Sequence, residues 1–342
     1  MRTLVTGAAG FMGSHLVNTL LADGHEVFAL DDLSGGFLEN VNPAARFLQV
    51  DLRNLEATRT AVDLIQPELV YHLAADATEG RSQFTPVSAV ERNFLAYVNL
   101  LTALIARTRF QKIVVASSMS IYGAQTPPFT EELDPSPEDV YAIAKAAMEK
   151  STRLLAEVHG FRFAIVRPHN VYGPYQNLQD PYRNVVAIFV NCLLNGKPFF
   201  IYGDGRQTRS FSYIDDINPY IALIGYDASC DGQVYNVGPG PECMITLNEL
   251  ARVVLEEFFQ GRVPAGFEPQ HLPERPREVK HAYASSEKIA RELGFRNTTS
   301  VRDGVARMIA WARQVGPKPF VYLSRLEIEN GFVPTTWKDK LY

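Results

Sequence analysis

The stretch Thr3-Leu-Val-Thr-Gly-Ala-Ala-Gly-Phe-Met-Gly-Ser-His15 constrains the fold more than any other part of the chain. Thr3 to Thr6 are apolar or β-branched, as a buried strand requires, and Gly7, Gly10 and Gly13 follow where a backbone needs unusual torsions and close approach to a ligand. Leu16, Val17, Leu20 and Leu21 then resume at helical spacing. The helix therefore starts near Phe11, with Met12 in its first turn, and its N-terminal amides face whatever sits over the glycines. A pyrophosphate fits there. The spacing is G-x-x-G-x-x-G, not the commoner G-x-G-x-x-G, and a glycine triplet alone is a weak signal; the context strengthens it. The helix closes at Gly24, a second strand covers Glu26 to Leu30, and it stops at Asp31-Asp32, about 20 residues on, where a dinucleotide fold places the carboxylate that bonds the adenosine ribose.

Strand and helix patterns alternate from there. Arg46 to Val50 reads as a third strand ending at Asp51-Leu52; Asp51 either lies beside the adenine or caps a helix starting near Leu55, and the two roles are compatible. A fourth strand, Leu69 to Leu73, runs into Ala74-Ala75, two small residues where bulk would collide with a cofactor crossing the rim of the sheet. Ala89 to Arg107 has helical spacing, Lys112 to Ser118 is a fifth strand, Asp139 to His159 is a helix closed by Gly160, and Phe163 to Pro168 is a sixth strand. This order predicts an α/β protein with a doubly wound, Rossmann-like parallel sheet and right-handed crossovers.

Beyond Pro168 the pattern changes. Loops rich in Asn, Tyr and Pro lead to a helix over Val185 to Leu194, then Pro198 to Tyr202, short strands within Arg206 to Asp216 and Gln233 to Val237, a helix over Leu247 to Phe259, and another opened by Ser285-Ser-Glu287. The expected organisation is a dinucleotide-binding domain over 1–168 with returns near 212–238, a smaller α/β substrate-binding lobe over 169–211 and 239–316, and a cleft between them. The stretch 317–342 holds Phe320, Tyr322, Leu323, Leu326, Ile328, Phe332 and Trp337, too apolar for a free tail. It is expected to pack on its own or a partner subunit.

Composition excludes several classes. A formal charge of −5 over 342 residues, without a Lys/Arg run, leaves no basic face for nucleic acid. No apolar run approaches ~20 residues and no leader pattern precedes the first strand, so a soluble, cytoplasmic protein is expected, with no membrane partner. Cys192, Cys230 and Cys243 lack any C-x-x-C spacing and read as free thiols, and the histidines never pair at metal-ligand spacing, so no metal is expected.

Tyr141 and Lys145 stand four residues apart on one helix, one turn from each other, with Ser118 at a strand end. A phenol with pKa about 10 is a poor base, but an ammonium one turn away and an oxidised nicotinamide nearby stabilise the phenolate. Ser118 would hold a substrate oxygen as alcohol becomes ketone. Alone, Y-x-x-x-K is common by chance; behind a dinucleotide cradle it describes hydride transfer on an alcohol. The cofactor contacts expected are Gly7, Gly10, Phe11, Met12, Gly13, Asp31, Asp32, Asp51, Leu52, Leu73, Ala74, Ala75, Asn93, Ser117, Tyr141, Lys145 and Pro168.

With T-G-A-A-G-F-M-G (6–13), H-L-A-A (72–75), S-S-M-S-I-Y-G (117–123), Y-A-I-A-K (141–145), R-P-H-N-V-Y-G-P (167–174), G-D-G-R-Q-T-R-S-F-S-Y-I-D-D (203–216) and R-P-R-E (275–278), the chain resembles the extended short-chain dehydrogenase/reductase family, specifically its nucleotide-sugar epimerases and dehydratases. The resemblance implies tightly held NAD, with Asp31 favouring it over the 2′-phosphorylated cofactor, a diphosphate-linked sugar as substrate, and a homodimer through a four-helix bundle of the Ala89–Arg107 and Tyr141–His159 helices. It also implies Arg209 and Arg275 on the diphosphate, Asn184 and Val185 under the nucleotide base, Phe200 and Tyr202 against its face, and Asn170 on a phosphate or sugar oxygen.

Departures narrow the chemistry. Dehydratases of this family carry Thr-Asp-Glu after the fifth strand, whereas this chain has Ser118-Met119-Ser120, without an acid. The reading is therefore a 4-epimerase that inverts C4 of a UDP-hexose through a transient 4-keto sugar. The rival is a UDP-glucuronate 4-epimerase or decarboxylase, or another nucleotide-sugar epimerase or dehydratase, because uronate epimerases share Ser-x-Ser. They commonly place an arginine after Y-G-P, where Tyr175, Gln176 and Asn177 stand here, so Arg81 or His169 would have to supply the cation. Glu79 and Arg81 are either solvated loop charges or the sugar end of the cleft. A protein that senses NAD(H) without turnover is a further alternative, against which Tyr141 and Lys145 speak.

Overall fold

The computed structural model describes residues 1–106, 109–274 and 280–342. The first half lays down β1 (Arg2–Thr6), α1 (Phe11–Ala22), β2 (Glu26–Asp31), β3 (Arg46–Gln49), α2 (Leu55–Ile65), β4 (Leu69–His72), the short α3 (Glu79–Ser82) and α4 (Pro86–Val90), α5 (Ala96–Ile105), β5 (Lys112–Ala116), α6 (Val140–His159) and β6 (Arg162–Pro168). One π-helical turn, Glu91–Leu95, joins α4 to α5, so the helix expected over Ala89 to Arg107 is three segments; Arg107 lies outside the described residues. The cap of α2 is Asn54, whose Oδ1 accepts from the Ala57 amide, while Asp51 pairs with Arg53. The capping alternative for Asp51 is thus corrected, because Asn54 stands at the position from which a side chain reaches the first-turn amides. Asp139 caps α6 from the Ala142 amide at 2.8 Å, and Gly160 closes it at φ +74°.

The second half continues with β7 (Val171–Tyr172), α7 (Val185–Leu194), β8 (Phe200–Tyr202), β9 (Thr208–Ser210), β10 (Ser212–Tyr213), α8 (Ile214–Tyr226), β11 (Val234–Val237), β12 (Met244–Thr246), α9 (Leu247–Phe258), β13 (Gln270–Leu272), β14 (His281–Ala282), α10 (Glu287–Leu293), α11 (Val301–Val315) and α12 (Thr335–Lys338). Helices α8 and α11 are additions to the expectation. The strand reading of Arg206 to Asp216 stops at Tyr213, and Asp215 and Asp216 are first-turn helical residues, where carboxylates suit the positive end of the helix.

Seven parallel strands form the central sheet in the order β11-β6-β5-β4-β1-β2-β3. Successive strand residues point to opposite faces. Val5, Tyr71, Val114 and Ala164 pack under α1, α8 and the second half of the chain, whereas Leu4, Val70, Ile113 and Ile165 pack under α2, α5 and α6. Both faces are covered, which is why the strands read as continuous apolar runs.

The turn from β1 into α1 depends on contact distances that only glycine permits. Gly7 has φ +72°, and a Cβ there would lie 2.7 Å from the Ala74 nitrogen; a Cβ on Gly13 would lie 2.0 Å from the Gly7 oxygen. Gly13→Ala is expected to destabilise the protein by about 1–3 kcal/mol, the usual cost of overpacking, measured by denaturant or thermal unfolding. An unchanged midpoint would show that the turn is not this tight.

Candidate active site

A cleft of about 990 Å³ runs along the carboxyl ends of β1 to β6, where ligands bind in open α/β sheets. Every residue of the expected cofactor set lines it except Asn93. At its floor α1 begins at Phe11, and Gly10 before it offers no side chain to the first-turn amides. These amides face the cleft uncapped, a donor set suited to a pyrophosphate. Asp31 is buried and accepts from the Ala9 and Leu33 amides at 3.0 and 2.8 Å, yet burial raises its carboxyl pKa. Asp32 accepts from the Ser34 amide and faces Arg92 at 3.6 Å.

Asn93 lies outside the cleft. It is fully buried, and its side chain exchanges hydrogen bonds with the Asp76 main chain and donates to the Ala89 carbonyl. It holds the loop after β4 in place and does not face the cleft.

Ser118, Tyr141 and Lys145 meet at the inner end. Lys145 is 2% exposed and donates to the Ala116 carbonyl at 2.7 Å, with its Nζ 5.6 Å from the Tyr141 ring centre. Burial pushes its pKa down to about 8, against the carboxylates of Glu79 and Glu149, which hold it up. Burial raises the Tyr141 phenol far above its ordinary value; the Glu79 charge adds to that, and a hydrogen bond with Ser118 works against it. Ser120 donates to the Ser118 hydroxyl through both its amide, at 3.1 Å, and its own hydroxyl, at 2.9 Å. Glu149 in turn holds Arg167 in a buried two-point pair at 2.9 and 2.7 Å. His72, under the same helix, bonds Thr6 at 2.8 Å, and burial followed by the Lys145 charge brings its pKa to about 3. It is neutral.

The substrate set divides. Glu79, Arg81, Ser118, Ser120, Asn170, Asn184, Val185, Phe200, Tyr202 and Arg209 line the cleft. Arg275 lies outside the described residues. His169 is not brought there: it is 1% exposed, its Nε2 sits 2.8 Å from the Pro239 carbonyl, its ring fills the space beside Gly238, and burial lowers its pKa. It supplies no cation to a substrate. Arg81 is buried in an ion pair with Asp76 and stacks over Tyr182 with its guanidinium 4.9 Å from the ring centre. Glu79, by contrast, is open to the cleft, and its depth there raises its carboxyl pKa. Asn184 caps α7 through the Val186 amide and donates to Val171. Arg209 donates to the Thr208 carbonyl at 2.9 Å.

Several cleft residues are absent from the expectation. Arg183 reaches Asp180 at 2.9 Å and Asp76 at 3.6 Å. Gln179, Tyr182, Tyr322 and Tyr342 also face in, from loops without a local motif to mark them. Among the described residues no cluster of His, Cys, Asp and Glu could hold a metal ion, and no helix is long and apolar enough to cross a membrane.

The profile of the NAD dependent epimerase/dehydratase family matches residues 3–238. The chain belongs to that family. It is 34% identical over 323 residues to the UDP-glucose 4-epimerase of Mycolicibacterium smegmatis, covering 92% of this chain and 99% of the relative. A crystal structure of UDP-glucose 4-epimerase from Thermus thermophilus in complex with NAD superposes with a TM-score of 0.82 at 34% identity, covering 91% and 98% of the two chains. A UDP-glucuronate 4-epimerase of Thermodesulfobacterium geofontis is 29% identical over 326 residues, covering 91% and 96%. The chain is thus an NAD-dependent enzyme, and the glycine cradle and uncapped α1 amides fit that cofactor.

The lowered pKa of Lys145 leads to an expected pH dependence. A group whose pKa is lowered to about 8 is a full cation only below that value and loses its charge as pH rises through it. Turnover should therefore fall above pH about 8. Glu79→Gln removes a carboxylate that holds the ammonium up and should move this limb to lower pH. A pH–rate profile of both forms checks it, and an unmoved limb would separate Lys145 from the titration.

Proposed function

We propose that the protein is a nucleotide-sugar 4-epimerase that inverts C4 of a neutral UDP-hexose through a transient 4-keto sugar. The observation that carries this reading is the meeting of Ser118, Tyr141 and Lys145 at the inner end of the cleft, with Met119 and Ser120, not acids, beside them. Tyr141 accepts the proton of the sugar O4 at its phenolate oxygen, Ser118 donates to O4 as it becomes a carbonyl, and the Lys145 ammonium favours the phenolate. NAD, when bound, supplies a reversible hydride acceptor and a positive ring that lowers the phenol's pKa. Ser120 fixes the Ser118 hydroxyl, and Glu79 and Glu149 keep Lys145 charged.

A uronate is disfavoured by charge. Arg81 and Arg183 already face Asp76 and Asp180, His169 is turned away, and Glu79 is open to the space the sugar would enter. Arg183 and Lys145 offset part of the Glu79 charge, and the remainder would repel a second carboxylate placed beside it. Arg209, Arg275 and Asn170 on the diphosphate, and Val185, Phe200 and Tyr202 about the base, complete the reading.

The reading extends to organisation. The domain over 1–168, with 212–238, holds NAD, and the lobe over 169–211 and 239–316 holds substrate. A homodimer through a four-helix bundle is supported by the exposed apolar residues Ile143, Leu154 and Val158 on α6, with Val90 and Leu95 beside it. Three buried free cysteines suit the reducing cytoplasm.

Tyr141→Phe should keep NAD bound and lower turnover by about three orders of magnitude, as loss of a positioned proton acceptor does; near-normal turnover would refute its role. Incubation with UDP-glucose and UDP-glucuronate, with products followed by NMR, should show the 4-epimer of the first only. Turnover of the uronate alone, or release of carbon dioxide from it, would overturn the neutral-hexose reading.

A further inference from the structure

The segment 317–342 crosses from one bank of the cleft to the other. On the substrate side the Val321 amide donates to the Gln179 carbonyl at 2.8 Å, the Leu323 amide to the Tyr182 hydroxyl at 3.0 Å, and Thr336 bonds the Tyr202 hydroxyl at 2.7 Å. On the opposite bank the Glu327 and Ile328 amides both donate to the Phe84 carbonyl at 3.0 Å. The Glu327 carboxylate accepts from the Val87 and Ser88 amides at 2.7 and 2.9 Å. Trp337 is buried between the two banks, edge-on to Tyr182 at 5.2 Å and to Phe84 at 6.1 Å.

Two tyrosines of this segment face the cleft. The Tyr342 amide donates to the Tyr322 hydroxyl at 3.0 Å, and the Tyr342 ring packs against Phe200 at 5.7 Å and Phe320 at 5.2 Å. Tyr322 stands edge-on to Tyr182, the ring that carries Arg81 on its face. Phe200 and Tyr202, assigned above to the face of the nucleotide base, are therefore backed by the segment. Without it their outer surface would open to water, and a base held between apolar rings would lose one wall of its desolvated site.

We propose that residues 317–342 form a strap that completes the nucleotide-binding end of the cleft, with Tyr322 and Tyr342 as substrate-binding residues. The inference rests on the nucleotide-sugar reading and adds binding residues to it from outside the region that the family profile matches. The strap is anchored on both banks, so it preorganises the wall before substrate arrives. Its anchoring hydrogen bonds and ring contacts run to Phe84, Val87, Ser88, Gln179, Tyr182, Phe200 and Tyr202, not to Ser118, Tyr141 or Lys145, so its effect belongs to binding and not to the chemical step.

The test uses the full chain with its NAD and UDP as the probe, read by calorimetry, beside steady-state turnover of UDP-glucose. Replacing Tyr322 and Tyr342 together by Ala should weaken UDP at least tenfold and raise KM in step, with kcat and NAD content within twofold of the parent. Tyr322→Phe keeps the ring and loses only the hydrogen bond to the Tyr342 amide, so it should weaken UDP less than the double substitution does. A chain ending at Gly316 should show the same loss of UDP; if it does not fold, the double substitution decides. UDP affinity within twofold of the parent in the double variant, or loss of NAD along with UDP, would overturn the strap. A parent that binds neither UDP nor dTDP, GDP or CDP would instead fail the nucleotide-sugar reading, and the strap's role would fall with it.

Discussion

An ammonium only 2% exposed has to be kept charged, and the inner end of the cleft is arranged around that requirement. Lys145 has one carbonyl within hydrogen-bonding reach and two carboxylates acting on it from different elements, Glu79 on α3 and Glu149 one turn further along α6. Burial of a lone cation in a medium of low dielectric is too unfavourable to persist, so these partners decide whether the lysine is charged at neutral pH. Glu149 is itself tied to Arg167 on β6, which donates to the Tyr122 hydroxyl, and Tyr122 donates to Asn236 on β11. The charge on one residue thus depends on the sheet being assembled as far as its edge strand. Glu79 connects it to the opposite bank, because the Ser82 hydroxyl of the same short helix donates to the Glu79 carbonyl and accepts from the Tyr141 amide.

The second dependence is steric. The first glycine lets β1 end against Ala74, and the third lets α1 descend onto Gly7, which brings the uncapped helix end, the loop after β4 and Ser118 to one rim. The cradle and Ser118, Tyr141 and Lys145 share that rim because six parallel strands end there, so a cofactor held on the helix amides would lie on the same rim as Tyr141. Fold and chemistry are joined at this rim, while the loops beyond β6 are free to differ in what they accept.

Much of this is legible in the chain itself, and the limits have physical reasons. Strands buried on both faces and helices with one apolar stripe announce themselves by composition and spacing, so the sheet, α6 and α7 stand near their expected bounds. Helix α8 is hidden by Pro219 in its interior and by two carboxylates at its start, which read as loop. Helix α11 does carry a signal, Ser300 ahead of Val301, Val305, Met308, Ile309 and Ala312. Ser118, Tyr141 and Lys145 are readable because two share one helical face and the third follows the end of a strand. Asn93 and His169 sit beside site motifs in sequence yet turn away from the cleft, since neighbours in a chain can face opposite sides of a layer. Arg183, Tyr322 and Tyr342 reach the cleft from loops, where only the folded chain decides which way a side chain points.

The central claim is that hydrogen leaves C4 and returns to C4 within one closed site. The direct measurement is turnover of UDP-galactose deuterated at C4, with the label in the UDP-glucose product located by NMR and mass spectrometry in the presence of added unlabelled NADH. The account predicts deuterium retained at C4, with no transfer to solvent or to the added cofactor. Loss of the label from C4, or its appearance in the free cofactor, would contradict it.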